Sequence, residues 1–433
     1  MVDICGKTLL ILAASHNMVE IVERSRELGV RTVVTDWYPP EKSPAKLVAD
    51  EYWDVSWNDI DELERRCRAE GVDGVMAGFS EFAVGAMVEL CDRLGLPCYC
   101  TKRQLEVTSD KALFKEACRA HGVPVVRDYP SPRAVERFPV IVKPVDRAGS
   151  IGVGIARNPE ELDVAYGYAM ECSVCKRVVI EDFVEGTKVD AYYALSDGEI
   201  VLLGTSDTID AAGNDRMRVV QSGWVLPSRS HGLYLEAVDQ SVRAMASALG
   251  MRDGFLFVSG FRTGEAIVVF ECGFRLSGGH VWRYFSVDGT PDVRELLIRH
   301  ALSGSCGVSD FSSPRSGIHG LIMNFYARKG TLYRMCGLEE ISSLEGCGFV
   351  LQTCAVGTEC CDDKAILKKL AMVHLYGRDK RRLIDKAQEV NRLFTAVDEN
   401  GRDMVYDRMS RNTLECAILE RDRCAETRDN SEF

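Results

Sequence analysis

What this sequence lacks narrows its class before any motif is read. No run of apolar residues is long enough to cross a bilayer, so no membrane contact is expected. No basic start leads into an apolar stretch, so no signal peptide is expected. Positive charge is in deficit: 53 Lys and Arg stand against 65 Asp and Glu, a net charge of −12. That balance argues against nucleic acid as the main partner, because phosphate contacts need clustered cations. The short cluster Lys380-Arg381-Arg382 reads as a solvated helix face. Cysteine is plentiful at 17 residues, yet its spacings form no framework, and Cys172-Ser-Val-Cys175 has no second Cys/His pair at a suitable distance. Reduced thiols in a cytoplasmic protein are expected, many of them filling core positions. A glycine-rich dinucleotide turn is missing as well. Ala13-Ala14-Ser15-His16-Asn17 follows the first apolar strand, which argues against a Rossmann-type NAD site.

What is present has a clear order. The chain of 433 residues is long enough for two or three domains. Its first hundred residues alternate strand and helix: strands at 8–14, 30–35 and 74–77, helices at 18–28, 59–70 and 82–94, with Gly29, Gly71 and Gly95 as stops. This alternation implies a parallel sheet covered by helices. Ser15, His16, Asn17, Asp36, Ser80 and Glu81 then fall at the carboxyl ends of strands, the ligand edge of such sheets. A helix is expected at 110–121, then short strands with glycine turns from 139, broken by a helix at 159–170. Residues 203–226 read as a polar loop, 233–249 as an amphipathic helix, and 255–261 with 266–274 as a hairpin. Beyond 312 a smaller unit is expected, with strands at 317–327, 331–338 and 349–354 and a helix at 381–393. The tail after 407 reads as a marginal helix or disorder.

Three elements suited to phosphate chemistry follow one another. Val140-Ile141-Val142-Lys143-Pro144 is an apolar strand ending in a lysine, followed by the loop Gly149-Ser150-Ile151-Gly152-Val153-Gly154. Glycines let backbone N–H groups come close to an anion and present oriented dipoles to it. Val178 to Gly186 is a strand ending in the acidic hinge Glu181-Asp182-Phe183-Val184. Val268 to Gly279 is a strand bearing Glu271, then Arg275, Ser277 and the pair Gly278-Gly279. An arginine fork beside glycines suits a carboxylate or an acylphosphate.

In this order, and with the Asp110-Lys111-x-x-x-Lys115 helix before them, the residues resemble the ATP-grasp superfamily over nearly the whole chain. The resemblance implies a mixed α/β and α+β protein. A doubly wound pre-ATP-grasp domain would occupy 1–105, a two-lobed ATP-grasp domain with ATP between its lobes 106–312, a small C-terminal α+β domain 313–407, and a charged tail 408–433. It implies that Lys111 and Lys143 contact phosphates, that Gly149, Ser150, Gly152 and Val153 cover them, and that Glu181, Asp182, Phe183 and Val184 meet the adenine. Glu271 would hold Mg²⁺, and Arg275 would hold the acylphosphate or substrate carboxylate. Glu81, Arg216, Arg218, Ser277, Gly278, Gly279 and His280 would line the substrate.

Two departures from the family pattern stand out. Lys188 occupies the place of a ribose-binding Glu and is donor-only; Glu185 or Asp190 can substitute. Gly273 occupies the place of a metal-binding Asn. No acid occurs between Asp253 and Glu265, where Phe257, Val258 and Ser259 are the positions for a first metal ligand, and Ser259 is the one able to serve. Mg²⁺ with nucleotide needs only one or two protein carboxylates. The implied function is an ATP- and Mg²⁺-dependent ligase joining a small carboxylate to an amine or thiol through an acylphosphate. Phosphoryl transfer or carboxylation is a further reading within enzymes, and a homodimer is allowed. The alternative is an ATP-binding homologue with weakened catalysis and a regulatory or assembly role.

Overall fold

The computed structural model describes residues 2–147, 151–212, 220–287, 289–307, 317–361 and 367–419. The chain divides into two compact units. The first comprises Met1–Val126, Asp190–Gly204 and Gly232–Arg315, and the second Arg127–Val189, Thr205–His231 and Ser316–Phe433.

The first unit opens with β1 (Thr8–Leu12), α1 (His16–Glu27), β2 (Arg31–Thr35), α2 (Pro44–Val48), β3 (Glu51–Trp53), α3 (Ile60–Glu70), β4 (Gly74–Met76) and α4 (Glu81–Leu94). The strands form a parallel sheet in the order β3-β2-β1-β4. Every residue of β1 is buried, as an all-apolar strand in a covered parallel sheet should be. Helix boundaries follow local chemistry. Asp59 caps α3 by accepting from the Glu62 N–H, and Gly71 ends it at φ +66°, a left-handed conformation glycine adopts without strain. Next come α5 (Lys102–Ser109), which lies outside the helices expected from sequence and starts at a Thr101/Gln104 capping box, and α6 (Lys111–Ala120), capped by Asp110.

The second unit opens with β5 (Asp128–Tyr129), β6 (Val140–Pro144), β7 (Gly154–Ala156), α7 (Pro159–Cys172) and β8 (Val178–Asp182). They form an antiparallel sheet, β5-β8-β6-β7, whose buried Val140, Val142, Ala156 and Ile180 pack against Leu162, Ala165 and Ala169 of α7. Then follow β9 (Thr187–Ser196), β10 (Glu199–Asp210), β11 (Gln221–Leu226), β12 (Gly254–Thr263) and β13 (Ala266–Gly273). Within the first unit, neighbours run β13-β12-β9-β10. Within the second they run β10, β11, His319–Tyr326, Lys369–Gly377 and Cys347–Gln352.

Several expectations change here. Residues 203–226, read as a polar loop, hold the end of β10 and all of β11. Buried Asp207 disguised the strand: its carboxylate accepts from Ser228 Oγ at 2.5 Å and the Arg229 N–H at 2.9 Å, so a polar residue sits inside at little cost. The helix expected at 233–249 spans His231–Ala248 with a π turn at Leu235–Asp239. The strand expected at 331–338 is two short ones, Gly330–Thr331 and Arg334–Cys336. Lys369–Gly377, an apolar run absent from the expected strands, is a buried central strand. In the tail, Arg411–Ile418 is helical. Among the described residues no helix is long and apolar enough to cross a membrane, and no three His, Cys, Asp or Glu side chains group as metal ligands.

Gly74 shows how closely β4 is packed in the first unit. A β-carbon there would lie 2.4 Å from the Ala301 carbonyl oxygen of the helix Val293–Ser303. Gly74→Ala is expected to cost about 1–3 kcal/mol, read as a lower midpoint of urea unfolding.

Candidate active site

In the second unit, β6 and β8 pair antiparallel with Lys143 opposite Val179 and Ile141 opposite Glu181. Lys143 Nζ donates to Glu181 Oε2 at 2.7 Å, with side chains 10% and 1% exposed. Such a pair is held by mutual compensation, and losing either partner is costly. Gly152 is held at φ +74°, where a β-carbon would meet Cys172 Cβ at 2.6 Å and Pro144 Cγ at 2.7 Å. Gly149, Ser150, Arg216 and Arg218 lie outside the described residues. At the hinge, Asp182 accepts from Tyr129 Oη at 2.7 Å and from Arg137, which hold its carboxyl below the usual range against the opposing effect of burial. The Phe183 N–H donates to the Pro139 carbonyl at 3.1 Å. Asp182 and the Phe183 N–H therefore serve the local structure. Phe183, Val184 and Lys188 are half-buried. Asp210 has its carboxyl pushed up by burial, with Lys188 opposing that shift.

In the first unit, the hairpin β12–β13 organises the acidic and cationic groups. Ser259 stands opposite Glu271 and Phe257 opposite Gly273. Directly opposed residues share a face, so these four side positions point the same way. Ser259 Oγ donates to Asp190 of β9, which places Asp190, Ser259 and Glu271 in one row across β9, β12 and β13. A bulge follows Ser259, the kind of irregularity that re-aims a side chain. The opposite face is structural: Cys272 Sγ lies 3.7 Å from the Thr108 carbonyl, and Tyr99 Oη donates to the Phe274 carbonyl at 3.3 Å.

Arg275 emerges beyond β13 with its guanidinium 5.2 Å above the Phe257 ring. One Nη meets Glu81 at 2.5 Å and the other donates to the Leu276 carbonyl at 2.9 Å. Its Nε and the Ser277 Oγ are buried without a hydrogen-bond partner among the described residues. Glu81 begins α4, and Ser80 stands at its N-cap without a side-chain hydrogen bond to the helix. Around Gly278 no atom would come within 4 Å of an added β-carbon. Lys111 is the first residue of α6, whereas Lys115 is fully buried and donates to the Val126 carbonyl at 2.9 Å. His280, expected against the substrate, is instead fully enclosed, its ring nitrogens facing Glu20 and Asn17.

Glu271 makes no ion pair among the described residues, and Asp190 supplies a second carboxylate in the same row. Oxygen donors of this kind fit one hard cation completed by phosphates and water. They do not extend to the Gly273 position, where an added β-carbon would lie 2.4 Å from the Phe257 ring. Sequence reasoning weighed Asp190 only as a ribose ligand and missed its place beside Ser259. It also missed that Phe257 fills the space above Gly273. Both depend on strand register.

Residues 136–281 match the family model for the ATP-grasp domain. The formate-dependent phosphoribosylglycinamide formyltransferase of Prochlorococcus marinus is 27% identical over 189 residues, which is 41% of this chain. The match covers 48% of that relative, so the chain spans about half its length. The L-amino acid ligase from Bacillus licheniformis shares the fold at a TM-score of 0.76 and 18% identity, over 92% of this chain and 100% of that one. The biotin carboxylase domain of Hydrogenobacter thermophilus 2-oxoglutarate carboxylase, solved with MgADP and bicarbonate, matches at 0.74 and 17%, over 92% and 91%. The fold is the ATP-grasp fold. Residues 136–281 carry the match to the ATP-grasp domain, and the structural neighbours, an amino acid ligase and a biotin carboxylase domain, share the fold over most of the chain.

Two outcomes are expected. Lys143→Ala removes the cation facing buried Glu181 and should cost about 3–5 kcal/mol in urea unfolding, while Lys143→Met with Glu181→Leu should recover much of it. Gly273→Asn should cost about 1–3 kcal/mol of stability, read as a lower urea midpoint, and adding Phe257→Ala should relieve the clash.

Proposed function

We propose that this protein is an ATP-dependent ligase that activates a small carboxylate as an acylphosphate and transfers the acyl group to an amine. The observation that carries this reading is Arg275. It is a mostly buried arginine stacked on Phe257, with Nε and the neighbouring Ser277 Oγ left without partners, next to a row of two carboxylates. Two buried donors on one short segment, both without partners among the described residues, suit an anionic oxygen. In this reading Lys143, Lys111 and the loop around Gly152 bind the phosphates of ATP, and the hinge at Glu181–Val184 meets the base. Glu271 and Asp190 would hold Mg²⁺, which would supply positive charge to offset that of the phosphate oxygens.

The carboxylate oxygen attacks the γ-phosphorus in line, the bond to the β-phosphate oxygen breaks, and ADP leaves. Arg275 and the backbone of Ser277–Gly279 hold the acylphosphate. The amine nitrogen then attacks the acyl carbon, phosphate departs, and the amine loses a proton. Positioning two anions is the main barrier, so fixed donors do most of the catalytic work. Glu81, already partnered with Arg275, is placed in this scheme to receive the amine.

The turns at 13–17, 36–40 and 77–81 contain no Lys or Arg. This favours an unphosphorylated amine, in line with the amino acid ligase, over a phosphoribosyl amine such as that named for the formyltransferase. The proposal is tested by incubating the full chain with ATP, Mg²⁺ and pairs drawn from amino acids and small carboxylic acids, measuring ADP and phosphate. Pair-dependent release is expected, and Arg275→Ala should lower it by about 10²–10³-fold. Nucleotide binding without release across the panel would overturn it in favour of a non-catalytic role.

A further inference from the structure

His280 ends the Arg275–Gly279 segment in an unusual state. It is completely buried and has φ +52°, a conformation that non-glycine residues keep only where their surroundings hold them. Its Nδ1 meets Glu20 Oε1, and its Nε2 lies 3.1 Å from Asn17 Oδ1. Phe79 stacks on the ring at 5.1 Å, and Trp282 packs against it at 4.9 Å. A neutral imidazole has one N–H, so with Asn17 turned to present Oδ1 the two facing acceptors call for protons on both nitrogens, whereas the flipped amide would suit a neutral ring. The charged groups around it come from three elements. Glu20 lies on α1 and Arg283 on the short helix Trp282–Ser286. Arg294, on Val293–Ser303, is itself paired with Asp292. Arg283 and Arg294 take the second oxygen of Glu20 at 2.6 and 3.1 Å, leaving the first for His280.

We propose that His280 is an imidazolium that acts as a positioning residue, locking together the three turns that present the acyl and amine groups. The first is the Arg275–Gly279 segment that His280 ends. The second is the β1–α1 turn, reached through Asn17 and Glu20. The third is the β4–α4 turn, reached through Phe79 two residues before Glu81. His280 touches no reactant; it sets where Arg275 and Glu81 stand. The inference rests on the ligase reading of those two residues.

The test uses the full chain labelled with ¹⁵N at histidine rings and arginine side chains. Near neutral pH, one histidine should show protons on both nitrogens, and that signal should vanish in His280→Gln. A neutral ring overturns the proposal. With an active substrate pair, His280→Gln and Asn17→Leu should lower turnover about 100-fold. Affinity for a non-hydrolysable ATP analogue should stay unchanged, and Asn17→Asp, which keeps the acceptor, should restore most of the rate. Unchanged turnover in the first two variants overturns it. If wild type turns over no pair, the ligase reading fails separately, and the Arg275 Nε–H resonance, assigned by its loss in Arg275→Lys, decides. A shift in Asn17→Leu and His280→Gln supports the positioning role, and an unmoved signal overturns it.

Discussion

The register between β12 and β13 is the constraint on which the first unit's chemistry depends. Because Ser259 faces Glu271 and Phe257 faces Gly273, one strand pairing decides two things at once. It aligns Asp190, Ser259 and Glu271 in a row, and it lays an aromatic ring beneath Arg275. A slip by one residue would turn all of these to the opposite face, where Cys272 and Phe274 now pack against α5 and its flanking segment. The alternation of buried Cys272 and Phe274 with Glu271 and Arg275 is therefore what keeps the polar side polar.

Charge compensation within each unit follows a common pattern. Lys143 is matched by Glu181, and Arg275 by Glu81. Taking a cation out of water is expensive unless an opposite charge goes with it. Each unit thus holds a mostly buried cation against a resident carboxylate, with which an incoming anion would compete on the proposed reading. On the proposed reading, this exchange of partners favours ligands with several charges or donors over simple ions.

Much of the architecture was legible in the residues. The alternation of the first hundred and the stops at Gly71 and Gly95 are local signals, and the helices formed near the expected places. The order of Lys143, Glu181, Glu271 and Arg275 was equally visible. What escaped was non-local. β10 looked like a loop because Asp207 is satisfied by a turn some twenty residues away. Asp190 gained its meaning only when β9 was laid beside β12. His280 read as either a substrate-orienting residue or a packing or surface one, and the sequence could not choose because its partners, Glu20 and Asn17, are more than 250 positions earlier.

The fit of Phe257 over Gly273 also limits how this chain can change over time. Enlarging Gly273 alone drives a side chain into the ring, while shrinking Phe257 alone opens a void and removes the surface on which Arg275 rests. Each single step toward the superfamily's usual asparagine passes through a less stable protein, so the two positions are expected to drift as a pair. The glycine and the ring at this hairpin thus form one packing unit, in which neither can change size alone without loss.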